Sequence, residues 1–375
     1  MRPVYITDIN GVSGLSEGVR NLLSPICGRY TFRANSYYLG LIDWDDPADP
    51  IRRIVIPDEA EMERWGRLDA SDESTFTVAP GVEHKYSYTA LLLVNDVCGG
   101  YCRFCFRKRL FMDCNDEVVR DVEPGLDYIR AHTELTNILL SGGDPLVMST
   151  RRLSEIVRKL RLIDHIEIIR IGTKIPAFNP HRILEDPSLL DMIRAYSTNR
   201  KRIYFMVHFN HPRELTDYAI KAVRLLQEAG AVVTNQTPLL RGVNDDPVVL
   251  AELLRTLSFC GIPPYYVFQG RPTEGNHHFA IPVERSWEIF EQARALCSGL
   301  AKRARLVMSH STGKIEVLGK TDGHVYMRYH RAADPEEKAR FMVLESNPDA
   351  YWFDDYDQIT RDYSIDLPYR CFGPE

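Results

Sequence analysis

A chain of 375 residues, 44% hydrophobic and 26% charged, has the balance of a globular protein with a large core, and its length suits one α/β barrel with extensions. A net charge of -6 with interspersed signs leaves no basic footprint for a nucleic acid, and no apolar run is long enough to span a membrane. The opening MRPVYITDINGVSGL lacks a secretory pattern, and five of the eight cysteines (Cys27, Cys114, Cys260, Cys297 and Cys371) are scattered, which favours a reducing, cytoplasmic setting over a disulfide framework.

In chain order, residues 1–80 read as an N-terminal extension packing on the barrel, with an acidic, proline-marked segment at 43–57 and a helix around 59–68. From residue 90, short apolar runs alternate with helical patterns, the mark of strand-helix units around a parallel sheet. The expected strands are 90–95, 137–141, 166–172, 203–208, 232–236, 264–269 and 305–308. Between them lie helices such as 213–229, whose Leu215, Ala219, Ala222, Val223 and Leu226 share one face before Gly230 closes it, while Ser149 or Thr150 caps the helix that follows Pro145. Six or seven units are too few for an eightfold barrel. The fold class expected is therefore α/β, a partial, open (β/α)6-type TIM barrel over residues 81–318. A C-terminal tail over 319–375 carries an aromatic, acidic stretch at 351–356 that would cover the barrel or meet another subunit.

Parallel barrels gather chemistry at the carboxyl ends of their strands, and the polar singularities of this sequence fall there. Cys98, Cys102 and Cys105 stand in Cys-Gly-Gly-Tyr-Cys-Arg-Phe-Cys, three thiolates that can hold three corners of an iron-sulfur cube. The fourth iron then stays open to the amine and carboxylate of a small molecule. A zinc site is the alternative, but it needs a fourth ligand from Cys114 or a distant histidine, and a second cysteine pair is missing. Arg103, Arg107, Lys108 and Arg109 form the densest basic cluster beside the cysteines, which suits anionic cofactors. At the next strand end, Ser141-Gly142-Gly143-Asp144 offers glycines that let backbone approach a ligand and a hydroxyl and carboxylate that can hold an ammonium group.

The C-x3-C-x2-C spacing, with Phe104 before its last cysteine, resembles the signature of the radical S-adenosylmethionine superfamily. Further motifs narrow the resemblance: Ser-Gly-Gly-Asp, Ile169-Arg170-Ile171-Gly172-Thr173, His208-Phe209-Asn210-His211-Pro212, and Asn235-Gln236 with Leu239-Leu240-Arg241-Gly242-Val243-Asn244-Asp245. With 37–57, they resemble the lysine 2,3-aminomutase family over roughly 37–318. The resemblance implies a 4Fe-4S cluster on Cys98, Cys102 and Cys105, and S-adenosylmethionine held by Phe104, Ser141, Gly142, Gly143, Asp144, His208 and Gln236. It also implies pyridoxal 5'-phosphate, with Lys314 as the catalytic Schiff-base lysine and Lys85 and Tyr86 at the phosphate.

Where the family has a second phosphate-binding arginine, this chain has Thr89. Arg107 matches the arginine for the substrate carboxylate. The two aspartates that lysine-specific members set against the distal ammonium are replaced by Arg271 and Val307, so the resemblance implies a 2,3-aminomutase acting on a non-lysine, acidic or polar amino acid, with His310 as a further substrate contact. The alternative is a relative with a lost or repurposed pyridoxal site that performs dehydrogenation, epimerisation or rearrangement of a specialised metabolite. The family's extra zinc site is missing, since Asp246 replaces its cysteine and Cys371 is alone in the tail. A homodimer stays open, and a flavodoxin or ferredoxin is the electron donor that the superfamily implies.

Overall fold

The computed structural model describes residues 3–112, 117–356 and 359–364; Cys114 and Cys371 lie outside them. The alternation of side chains along each central run decides the layering. In Asn137–Gly142, Ile138 and Leu140 are fully buried under helices, while Leu139 and Ser141 turn to the interior cavity. In Ile168–Thr173, Ile169 and Ile171 pack outward and Arg170 and Gly172 line the cavity. One face of each strand is thus committed to a helix layer and the other to a ligand.

A short antiparallel pair, β1 (Tyr5–Ile6) and β2 (Ala34–Asn35), stands apart from the main sheet. The main sheet runs in strict chain order through β3 (Thr77–Ala79), β4 (Val82–Tyr86), β5 (Thr89–Asn95), β6 (Asn137–Gly142), β7 (Ile168–Thr173), β8 (Arg202–Val207), β9 (Val232–Pro238), β10 (Pro264–Phe268), β11 (Arg305–His310), β12 (Gly313–Lys320), β13 (His324–Ala332), β14 (Phe341–Glu345) and β15 (Ile359–Tyr363). From β5 to β11 every pairing is parallel, with helices between successive strands. The flanks, β3–β5 and β11–β15, are antiparallel.

The two ends of this sheet meet through side chains. Ser71 donates its hydroxyl to the Ser309 carbonyl at 3.1 Å, the Lys85 ammonium donates to the His310 carbonyl, and Arg331 on β13 donates to the Thr89 hydroxyl on β5 at 2.9 Å. The parallel strands are therefore curled, as an open barrel requires. Most expected strands match to within a residue or two.

The helix expected around 59–68 shrinks to the single turn Glu59–Met62. Its continuation is pulled straight because the Arg67 N–H pairs with the Pro272 carbonyl at 3.0 Å. The helix expected at 213–229 begins later, at Asp217 under a Thr216 cap, because Glu214 is buried against Lys174 in a separate turn, Pro212–Glu214. Ser149 caps Thr150–Arg161 as expected, and Gly230 closes the later helix at φ 98°.

An N-terminal apolar layer, including Tyr38, Ile51 and Ile54, packs on Phe178, Leu240 and Phe279 of the barrel. The tail residues Trp352 and Tyr356 are buried in a second core with β12, β13 and β14. No helix among the described residues is long and apolar enough to cross a membrane.

Candidate active site

A cavity of about 370 Å³ opens at the carboxyl ends of the parallel strands, and the three clustered cysteines, the Gly142-Gly143 turn and Lys314 all line it. The cysteine loop leaves β5 and is tied down by the N-terminal layer. The Arg33 Nε donates to the Cys98 carbonyl at 2.8 Å, the Asn35 amide to the Gly99 carbonyl at 3.0 Å, and the Arg103 N–H to the Ile54 carbonyl at 2.8 Å. The Arg103 guanidinium forms a bidentate pair with Glu61 at 2.8 and 2.6 Å, with the two side chains only 3% and 0% exposed. Such a pair costs much to desolvate and more to break, so it fixes the loop's register. Nothing local in the sequence singled out Glu61.

Cys98, Cys102 and Cys105 are free thiols. Burial pushes all three upward, Cys98 strongly and Cys102 to about 12, while Lys174 draws Cys102 down and Lys108 and Arg107 draw Cys105 down. Buried thiols of this kind become ligands when a cation supplies the missing charge, so the donor set fits an iron-sulfur cluster. Among the described residues no three His, Cys, Asp or Glu groups converge on one ion. A cube takes each thiolate on a different iron and has no such requirement.

Gly143 packs against the cysteine loop so closely that a Cβ there would stand 2.5 Å from the Val97 carbonyl oxygen and 2.7 Å from its nitrogen. Gly142, at φ 106°, would press a Cβ to 2.3 Å from the Asn95 carbonyl. Only glycine leaves the strand end this near the cysteines. The Asp144 carboxylate turns inward. It accepts from the Thr173 hydroxyl at 2.7 Å and from the N–H groups of Leu146, Lys174 and Ile175, and burial raises it to about 6. These bonds tie two strand ends together, and Asp144 lines the cavity beside Ser141, Gly142 and Gly143.

His208 and Gln236 line the cavity as expected. Burial and the neighbouring Lys174 hold His208 down to about 4, so its imidazole is neutral. Phe104 lines the cavity too, with its ring edge-on to Phe279.

Arg107 lines the cavity with most of its guanidinium already engaged. Its Nε and Nη2 are taken by Glu73 at 2.9 and 2.7 Å, leaving Nη1 on the Ser141 hydroxyl at 3.0 Å. Glu73 comes from the N-terminal layer and also accepts from Arg109 at 2.9 Å, with Arg271 at 3.8 Å. Against its burial, these guanidinium groups hold its carboxyl down to about 2. Nearby Glu83 goes the other way, pushed to about 8 by burial and then by Glu73. Arg109 is further matched by Glu117 and Asp69, while Arg107 also has the Glu83 carboxyl at 3.9 Å and, among the described residues, Arg271 has Glu73 alone. The Arg271 guanidinium lies 3.5 Å above the Phe106 ring, and its Nη1 is buried with no hydrogen-bond partner.

Lys314 is the second residue of β12. Its ammonium donates to the Ser309 hydroxyl at 2.8 Å and sits 4.8 Å from the Phe268 ring. Burial first, then the positive charges of Arg271, Arg331 and Lys85, lower its basicity far below that of an ordinary lysine. Lys85 is lowered to about 8, chiefly by burial. An amine that sheds its proton readily, ringed by cations and walled by aromatics, fits a carbonyl cofactor bearing a phosphate.

His310 departs from the substrate role. Its ring nitrogens are engaged by the Thr312 hydroxyl at 2.8 Å and the Asp354 carboxylate at 2.9 Å, under Phe353, and the side chain is outside the cavity lining. The tail captured it, which the local sequence could not reveal.

Comparison with known proteins agrees with this geometry. The Radical SAM superfamily profile matches residues 92–254. A protein of Aquifex aeolicus named "Putative L-lysine 2,3-aminomutase" is 55% identical, covering 97% of this chain and 97% of the relative. The L-lysine 2,3-aminomutase of Clostridium subterminale is 40% identical over 79% of this chain and 68% of its own. The glutamate 2,3-aminomutase of Clostridioides difficile is 31% identical over 79% and 70%.

Proposed function

This chain belongs to the lysine 2,3-aminomutase family of the radical S-adenosylmethionine superfamily, isomerases that work with a 4Fe-4S cluster, S-adenosylmethionine and pyridoxal phosphate, and from that premise we propose that it moves an amino group between C2 and C3 of an acidic amino acid. When bound, the cluster and S-adenosylmethionine supply a carbon radical able to take an unactivated hydrogen, and pyridoxal phosphate supplies a conjugated carrier for the nitrogen. Cys98, Cys102 and Cys105 would hold the cluster. The Gly142-Gly143 backbone would border S-adenosylmethionine. Lys314, whose basicity is lowered by burial and by the neighbouring cations, would anchor the pyridoxal carbonyl, with Lys85 and Tyr86 toward the phosphate. The enclosing aromatic wall would keep water from the radical.

The observation that carries the substrate reading is the buried Nη1 of Arg271, which has no hydrogen-bond partner and faces the Glu73 carboxylate only at 3.8 Å, in the same cavity as Lys314 and the cysteines. An ammonium brought to about 4 Å from that guanidinium would meet about 4 kcal/mol of repulsion at an effective dielectric of about 20, some three decades in affinity. A carboxylate there would gain a charge-assisted hydrogen bond, and the Arg107 Nη1 beside Ser141 offers the second carboxylate site. Glutamate, the substrate in the name of the Clostridioides difficile relative, has this pattern of two carboxylates.

The reading includes a cytoplasmic setting and a flavodoxin or ferredoxin donor. The reconstituted anaerobic enzyme should convert glutamate or aspartate to the β-isomer in preference to lysine, and Arg271→Asp should reverse the preference. Borohydride should trap pyridoxal phosphate on Lys314 and leave Lys314→Ala unlabelled. Faster turnover of lysine by the unaltered enzyme would sink the substrate reading, and absence of any trapped cofactor would sink the aminomutase reading.

A further inference from the structure

We propose that Arg331, on β13, supplies the phosphate-binding guanidinium that the sequence lacks at position 89. This rests on reading the cavity as a pyridoxal phosphate site. The observations are geometric. Thr89 opens β5, and its hydroxyl accepts a hydrogen bond from the Arg331 Nη2 at 2.9 Å. The Arg331 guanidinium carbon lies 4.1 Å from the centre of the Tyr86 ring. A guanidinium borne by a strand toward the far end of the sheet therefore stands beside position 89 and beside the second residue of the phosphate segment.

Register places it there. Arg331 is the cross-strand partner of Lys314, and directly opposed residues of an antiparallel pair present their side chains to one face. The strand that carries the anchoring lysine and the strand that carries Arg331 thus address the same ligand from neighbouring positions.

Charge makes the case independently. Among the described residues, Arg331 has a hydroxyl and an aromatic face for partners, Arg170 has the Asn137 amide oxygen at 2.8 Å, and Lys85 has the His310 carbonyl. None of these contacts is a carboxylate, yet the three side chains and Lys314 line one cavity. Glu73 and Glu83 line the same cavity, but the hydrogen bonds of Glu73 go to Arg107 and Arg109. Cations that lack a hydrogen-bonded carboxylate in a partly enclosed space are stabilised by a multiply charged anion, and guanidinium groups match phosphate oxygens in a planar fork.

The test measures the dissociation constants of pyridoxal phosphate and of pyridoxal, which has the same aldehyde and no phosphate, by the absorbance of the Lys314 adduct in the full-length protein. Arg331→Gln should weaken pyridoxal phosphate by about tenfold or more, the loss of a charge-assisted pair, and leave pyridoxal within about twofold. The double variant T89R/R331Q, which restores a guanidinium from the β5 side, should recover most of the lost affinity. Equal weakening of both ligands by Arg331→Gln would reduce Arg331 to a scaffold residue and overturn the proposal, as would an unchanged affinity for pyridoxal phosphate. Failure of the unaltered protein to form an adduct with either ligand would instead overturn the underlying site reading, a result distinct from an Arg331 effect. Inorganic phosphate should compete with pyridoxal phosphate in the unaltered protein and lose potency in Arg331→Gln.

Discussion

Replacing Glu73 with glutamine keeps the side chain's shape and removes the charge around which Arg107, Arg109 and Arg271 are organised. The carboxylate accepts both members of a bidentate pair from Arg107 at 2.9 and 2.7 Å and a third bond from Arg109 at 2.9 Å. Its carboxyl is held to about 2 against an ordinary 4.5. At about 1.4 kcal/mol per pKa unit, that difference corresponds to roughly 3 kcal/mol of folding stability at neutral pH, in line with the cost of breaking a buried ion pair. The sign follows from the lowered value: this stability is full above the unfolded carboxyl's range and is lost as pH falls from about 4.5 toward 2.

With about 2.1 cal/mol/K of unfolding entropy per residue, a 375-residue chain has roughly 0.8 kcal/mol/K, so Glu73→Gln should lower Tm by about 4 °C. Scanning calorimetry of the cofactor-free protein at pH 7 under reducing conditions measures this directly. At about pH 2 the gap between variant and parent should close. A Tm within about 1 °C of the parent at pH 7, on the order of experimental scatter, would refute the view that Glu73 is the electrostatic hub of the site.

The same geometry sets three further outcomes. Glu83, raised to about 8, is protonated in the folded state at neutral pH while its unfolded form is ionised, so stability falls as pH rises from about 4.5 to 8; Glu83→Gln should flatten that slope and be the more stable protein at pH 8, which denaturation at several pH values will show. Gly143→Ala must push a Cβ into Val97 backbone at 2.5 Å, so it should abolish S-adenosylmethionine binding in equilibrium dialysis and displace the cysteine loop, and near-parental binding would contradict the close approach of the two segments. His310→Ala keeps the carbonyl that receives Lys85 and loses a contact to Asp354, so KM for the amino acid should change by less than about threefold; a rise of about tenfold would return His310 to the substrate site.

What the sequence determined by itself was whatever is encoded within a few residues. The cysteine spacing, the glycine pair after an apolar run, and the alternation of strands and helices are local patterns, because a cluster-binding loop and a strand end are each built from contiguous chain. Arg271 and Thr89 were legible as departures at motif positions, and Lys314 as a lysine near a strand end. The tertiary structure alone decided who answers those residues. Glu73 meets Arg107 across 34 positions of sequence, through the antiparallel pairing of β3, β4 and β5, and Arg331 meets Thr89 across 242, through the curl that brings the two antiparallel ends of the sheet together. His310 was lost to the tail for the same reason, since Asp354 lies 44 residues away. Charge acts through space over several ångströms and is indifferent to chain order, so pairing in a buried site follows the shape of the sheet.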